Sequence, residues 1–257
     1  MPGTLNKTPY KNLNPEVILD AVESVGFRCD GRLLALNSFE NRVYQVGVGD
    51  DEFLVVKFYR NDRWSVAAIL EEHRFALELA EMEIPVVPPL IGPKGQTLHP
   101  WHGFRFALYP RRGGRAPDLE NLDHLQRLGL ALGRIHAVGA THPFVSRPTL
   151  DVESFGVEPY QFLMHSMIIP AELRTPYSSL VTDLIGQIRR SFQVAGTPRN
   201  IRLHGDCHSG NILWTEQGPH FVDFDDARMG PAIQDLWMCL SGDREEQGIQ
   251  FSALLKG

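Results

Sequence analysis

Two aspartates and an asparagine stand out by order and spacing. Residues 203–214 read LHGDCHSGNILW, which sets Asp206 and Asn211 with four residues between them, and FVDFDD follows with Asp223. Phosphoryl transfer to a hydroxyl needs such a set. One carboxylate orients the acceptor and takes its proton, while an amide oxygen and a second carboxylate hold Mg²⁺ against the phosphates of ATP. Asp206 is therefore read as the base, and Asn211 and Asp223 as the metal ligands. Taken singly, HGD is also an ordinary loop turn and Asp223 an ordinary strand-end residue; only the combination carries the chemistry.

Lys57 lies in FLVVKFY, where alternation gives it Phe53, Val55 and Tyr59 as same-face neighbours. An ammonium in that setting needs an anion. In a kinase it meets the α- and β-phosphates and pairs with a glutamate of the following helix. On a 100° wheel Glu72 borders the apolar face between Ile69 and Phe75, whereas Glu71 points away, so Glu72 is selected. A lysine snorkelling at a sheet edge is the plainer alternative.

These residues need a sheet and helices to hold them. From Leu33 to Tyr59 the runs LLAL, RVYQVGV and EFLVVKFYR, split by the turns NSFEN and GDD, predict an antiparallel meander. Ser65 can cap a helix reaching about Met82, before Pro85, and GFRFALYP predicts a further strand. PRRGGRAP, residues 110–117, breaks both periodicities and reads as a linker. Beyond it, Leu122, Leu125, Leu128, Leu132 and Ile135 have helical spacing, as do Leu180, Leu184 and Ile188. NILW and HFVDF read as a hairpin, and Asp235 opens a helical stretch, DLWMCL.

HGDCHSGN with VDFDDA resembles the aminoglycoside phosphotransferase and choline kinase-like branch of the protein-kinase fold. Within it, the combination of NSFENRVYQV, VVKFYR, ILEEH, LHGDCHSGNILW and GPAIQDLWM is similar to the bacterial stress response kinase A family. The resemblance covers nearly the whole chain. It implies an α+β, protein-kinase-like two-lobed fold: a small antiparallel-sheet N-lobe over residues 1–110 and a mainly helical C-lobe over 111–257. It also implies a serine/threonine protein kinase that is a cytoplasmic monomer, uses ATP and Mg²⁺, and acts on a protein substrate.

In the resembled family the NSFEN turn covers the nucleotide although it has no glycine. Ser38 is the contact expected there, through its hydroxyl and backbone N–H, and a solvent-facing serine in a plain turn is the alternative. The adenine edge would meet backbone groups near Tyr109 and Arg111, since Pro110 between them has no N–H. Asp235 would anchor the catalytic-loop backbone. His204 would support that loop, and His208 stands where many protein kinases carry a lysine.

Composition narrows the class. With 25 Lys and Arg against 31 Asp and Glu, the net charge of −6 argues against nucleic acid as a partner. Cys29, Cys207 and Cys239 form neither a CxxC pair nor an even framework, so a reducing compartment is the simpler reading. No apolar run suits a signal peptide or a membrane span. Zinc on His204, Cys207 and His208 lacks a second ligand pair, and GDCH lacks the partner motifs of a metallophosphoesterase. Two other functions stay open. Only eleven residues separate Asp223 from Asp235, too few for a long activation segment, which suits a kinase of amino alcohols, sugars or aminoglycosides. Only 22 residues follow Asp235, where the resembled family continues with further helices, so the C-lobe reads as truncated and a non-catalytic nucleotide-binding pseudokinase is the other alternative.

Overall fold

A computed structural model describes residues 10–49, 51–196 and 198–257; the first nine residues of the polar amino-terminal stretch, and Asp50 of the GDD turn, lie outside the described residues. By internal packing the chain divides into two compact units, residues 1–117 with 210–225, and residues 118–209 with 226–257.

The first unit is built on a five-stranded sheet. It begins with α1 (Pro15–Glu23), where Asn14 accepts from the Val17 N–H and Pro15 starts the helix, as Asn at the cap and Pro at the first position favour. Then come β1 (Cys29–Leu36), β2 (Arg42–Val48), β3 (Phe53–Tyr59), α2 (Val66–Glu81), β4 (His99–Trp101) and β5 (Phe104–Pro110). The sheet order is β1-β2-β3-β5-β4, and every neighbouring pair is antiparallel. The expected meander is present, and the helix starts at Ser65, whose hydroxyl accepts from the Ala68 N–H, and stops at Met82.

Alternation in β3 and β5 sends two sets of side chains to two faces. Leu54, Val56, Phe58, Phe104, Phe106 and Leu108 join Ile18, Ala21 and Val22 of α1 in one core. Tyr59 and Ala107 pack instead with Ile69 of α2. Both faces are therefore covered, which is why FLVVKFY is nearly continuously apolar.

The hairpin of β7 (Ile212–Thr215) and β8 (Gly218–Phe221) belongs to this unit as well. Its register pairs Ile212 with Phe221 and Trp214 with Pro219. Phe221 bridges to the chain after α2, its N–H donating to the Pro85 carbonyl and its carbonyl accepting from Val87. On the other side Arg115 and Trp214 exchange backbone hydrogen bonds.

The second unit holds α3 (Leu122–Gly139), α4 (Glu158–His165), α5 (Ala171–Ala195), the strands β6 (Ile201–Leu203) and β9 (Arg228–Gly230), α6 (Ile233–Trp237) and α7 (Arg244–Lys256). β6 and β9 form a two-stranded antiparallel ladder. The heptad-like leucines of α3 bury Leu125, Leu128, Leu132 and Ile135. Gly129 lets α7 close onto α3: a Cβ there would sit 1.9 Å from the Leu254 carbonyl oxygen. α5 is helical where the spacing of Leu180, Leu184 and Ile188 predicts, yet all three side chains are exposed. Among the described residues no helix is long and apolar enough to cross a membrane.

Candidate active site

Lys57 is the centre of the first unit's polar chemistry. Its register on β3, opposite Val43 of β2 and Ala107 of β5, places it on the face of Val55 and Tyr59. The residue is 4% exposed. Its Nζ lies 2.7 Å from Asp223 Oδ1, 3.3 Å from Asp225 Oδ1 and 3.8 Å from Glu72 Oε1. Burial opposes the charge, but the three carboxylates outweigh it and hold the lysine pKa well above its ordinary value. Lys57 is thus a fixed cation. Glu72 reaches it from the middle of α2 and is itself 2% exposed. Glu71, which the wheel turns away, is buried too, so the polar face of α2 is narrower than a 100° wheel suggests.

Asn211 and Asp223 flank the hairpin. Asn211 closes the 3-10 turn Ser209–Asn211, and its carbonyl accepts from the Val222 N–H at 3.0 Å, next to Asp223. The side chain of Asp223 is 48% exposed, unlike the lysine it pairs with. Its backbone is left-handed, with φ 61°. That conformation costs an L-residue about 1 kcal/mol, least for Asn and Asp, and such strain gathers where side-chain direction matters.

These groups line one cavity of about 300 Å³, with Lys57, Glu72, Tyr109, Asn211 and Asp223 on its wall beside the apolar Leu36, Val43, Val55, Val87 and Leu213. An apolar slot ending in a few convergent polar groups is the usual form of a small-ligand site. The Tyr109 hydroxyl is 2.9 Å from that of Tyr59, which is 2.7 Å from His73 Nε2, and Thr97 closes the far side of the ring at 2.7 Å. Burial, with Glu72 nearby, pushes both phenol pKa values up, so the tyrosines stay neutral and serve as hydrogen-bonding groups.

Other expected residues sit differently. Ser38 lies in the turn between β1 and β2, its hydroxyl 3.5 Å from the Leu36 carbonyl, and its neighbour Asn37 lines the cavity. Arg111 donates to Gln45 and lies over the Phe53 ring, whereas Pro110 and Arg112 line the cavity. Arg112 is held there by His220. Asp225 and Arg63, whose guanidinium is 2.8 Å from Asp225 Oδ2, had no place in the sequence reading. The one available signal was the alternation of carboxylates in VDFDD.

Asp206 belongs to the second unit, in the loop after β6, partly exposed, with its Oδ2 3.6 Å from His208 Nε2. The loop is anchored by Asp235, fully buried in α6, whose carboxylate accepts from the backbone N–H of His204 at 3.0 Å and of Gly205 at 2.8 Å, and meets His136 Nε2 at 3.0 Å. His204 Nδ1 accepts from the Asp206 N–H at 3.3 Å. Gly205 is required: at φ 86°, a Cβ would lie 2.1 Å from the Asp226 carbonyl oxygen. The neighbouring Cys239 and burial push the Cys207 thiol pKa well up and leave it unreactive, and the Cys239 thiol donates to the Cys207 backbone carbonyl at 3.5 Å.

Among the described residues no cluster of three or more His, Cys, Asp or Glu could hold a metal ion. A carboxylate and an amide oxygen on one cavity still suit a hard cation such as Mg²⁺, which takes one or two protein oxygens and completes its shell with phosphates and water.

The profile of the phosphotransferase enzyme family matches residues 32–257. The chain is 44% identical over 247 residues to "Stress response kinase A" of Escherichia coli O157:H7, covering 96% of this chain and 74% of that protein. It is 43% identical over 251 residues to "Serine/threonine protein kinase RdoA" of Salmonella typhimurium strain LT2, covering 98% and 75%. Among solved structures it resembles an amicoumacin kinase, hAmiN, in complex with AMP-PNP, Ca²⁺ and Ami, with a TM-score of 0.75 at 19% identity over 94% of this chain and 76% of the other.

Proposed function

We propose, from the premise that this chain belongs to the phosphotransferase enzyme family and is an ATP-dependent kinase, that it is a stress-response serine/threonine protein kinase transferring the γ-phosphoryl group of Mg-ATP to a protein hydroxyl. The observation that carries this reading is the gathering of Lys57, Asn211 and Asp223 on one cavity. The names of its relatives support the protein-kinase and stress-response parts. A cytoplasmic, monomeric protein belongs to the same proposal, as does a functional division near residue 110.

In the proposed mechanism the adenine lies in the apolar slot beside Tyr109, with Ser38 and backbone near Arg111 as further nucleotide contacts. Lys57 exchanges Asp223 for the α- and β-phosphates and keeps Glu72. Asp223 and Asn211 would hold Mg²⁺, which would neutralise charge on the phosphates. Asp206 orients the acceptor hydroxyl and receives its proton as the oxygen bonds to the γ-phosphorus and the bond to ADP breaks. A dissociative transition state asks little more of the protein than positioning and charge.

A second reading has one observation in its favour. The eleven residues between Asp223 and Asp235 are taken up by the turn Phe224–Asp226, β9 and the start of α6, which is the economy of a kinase with a small hydroxyl acceptor. Radiolabelled ATP offered with casein, with a panel of amino alcohols and sugars, and with no acceptor decides between them. Label on protein supports the first reading, and label on a small alcohol replaces it with the second. Tight Mg-ATP binding without transfer to any acceptor or water would make the chain a pseudokinase.

A further inference from the structure

The cation–carboxylate cluster at the candidate site contains two residues that the mechanism does not use. Asp225 Oδ1 is 3.3 Å from Lys57 Nζ, and Asp225 Oδ2 is 2.8 Å from Arg63 Nη1. The Asp225 side chain is 4% exposed. Asp223 and Glu72 line the cavity, but Asp225 does not. It meets Lys57 while staying off the wall of the cavity in which phosphate and cation are proposed to bind. Its own position is fixed by the turn Phe224–Asp226. Phe224 in that turn packs edge-on against Phe75 of α2 at 5.9 Å, so the turn is pinned to the helix that carries Glu72. Arg63 leads into Ser65, the cap of the same helix.

We infer that Asp225 is a positioning residue: braced by Arg63, it holds the Lys57 ammonium at the phosphate-binding position when Asp223 leaves it for a metal ion. This rests on the proposed nucleotide reading. The charges explain why a third carboxylate is needed. Asp223, Asp225 and Glu72 face Lys57 and Arg63, an excess of one negative charge before any ligand binds. Once Asp223 turns to a cation and the phosphates arrive, Glu72 at 3.8 Å is the weaker hold and Asp225 the closer one. A lysine held from two sides keeps one position, whereas a lysine held by Glu72 alone can follow the phosphates into unproductive placements, at a cost in turnover rather than in binding.

Asp225→Asn separates positioning from packing, because it keeps the shape and removes one negative charge near the phosphates. Mg-ATP affinity should therefore stay equal or tighten, while kcat, read as ADP release with the best acceptor or with water, falls by at least about 10-fold. Arg63→Gln should lower kcat less, again without loss of affinity. The double variant should be no slower than Asp225→Asn, since Arg63 acts through that carboxylate. Turnover of Asp225→Asn within about 2-fold of wild type overturns the inference, as do parallel losses of affinity and kcat or multiplying effects in the double variant. If Asp225→Asn does not fold, Arg63→Gln decides: a lower kcat at full affinity supports positioning, and wild-type turnover overturns it. Wild type that binds no Mg-ATP fails the nucleotide reading itself, and is seen before any variant is made.

Discussion

Lys57 meets three carboxylates before any nucleotide arrives, and this sets its response to pH. Burial works against the ammonium, the carboxylates overrule it, and the folded pKa lies well above the ordinary lysine value. Its stabilising contribution is therefore complete below about pH 10.4, the unfolded pKa, and is lost only as pH rises through the higher folded value. ATP affinity, followed by calorimetry with Mg²⁺ saturating, should show no decline from Lys57 between about pH 8 and 10. A decline there that vanishes in Lys57→Arg would contradict the ion cluster. The proposed duties of the two aspartates separate in the same way. Asp206→Asn should keep Mg-ATP affinity within a small factor and lose phosphoryl transfer by at least about 10²-fold. Asp223→Asn, which keeps the residue's tolerance of left-handed backbone, should lose Mg²⁺-dependent binding by at least about 10-fold with little change in unfolding midpoint. The opposite pattern would mean that base and ligand roles are exchanged.

At the scale of elements, close approach is a sharper constraint than propensity. Gly129→Ala improves intrinsic helicity in α3 yet puts a methyl 1.9 Å from the Leu254 carbonyl of α7. The clash should win, with a net destabilisation of about 1–3 kcal/mol in denaturant unfolding. Equal stability would mean that α7 is not docked through this contact. The elements legible in the sequence were those with local causes: alternation wrote β2, β3 and β5, and a serine cap before an apolar stripe wrote α2. α1 and α7 carried local signals that the periodicity reading passed over, Asn14-Pro15 in one and the Asp243/Glu246 capping box in the other. β6 and β9, three residues each, are held by partners distant in sequence: they pair with each other, and Met229 of β9 also exchanges backbone hydrogen bonds with Pro148 and Leu150. The candidate site was legible as residue types in order. Asp225 and Arg63 were not, because their meeting depends on the fold bringing distant segments together. Arg111 and Arg112 differ for a similar reason: adjacent residues at a strand end point to different sides, and only the structure says which lines the cavity.

For the molecule as a whole, acid is the weak side. His99 is buried against Phe106, and burial lowers its pKa; His220 is lowered by burial and by Arg112. With folded pKa values below the unfolded one, stability is complete above about pH 6.5 and is lost as pH falls through the folded values. The melting temperature should drop between about pH 7 and 5, and His99→Gln should flatten part of that slope. An unchanged slope would assign the acid sensitivity elsewhere. The left-handed Asp223 sets the molecule a different conflict. Glycine alone is free of the backbone cost there, and in Asp223→Gly the lysine would still have Asp225 and Glu72 as counterions. Directed evolution that rewarded heat resistance alone would weigh only the relieved backbone against the lost 2.7 Å contact to Lys57 and the entropy of glycine, and the proposed chemistry would not enter that balance. An aspartate at such a position is favoured for its chemistry only while activity is also being selected.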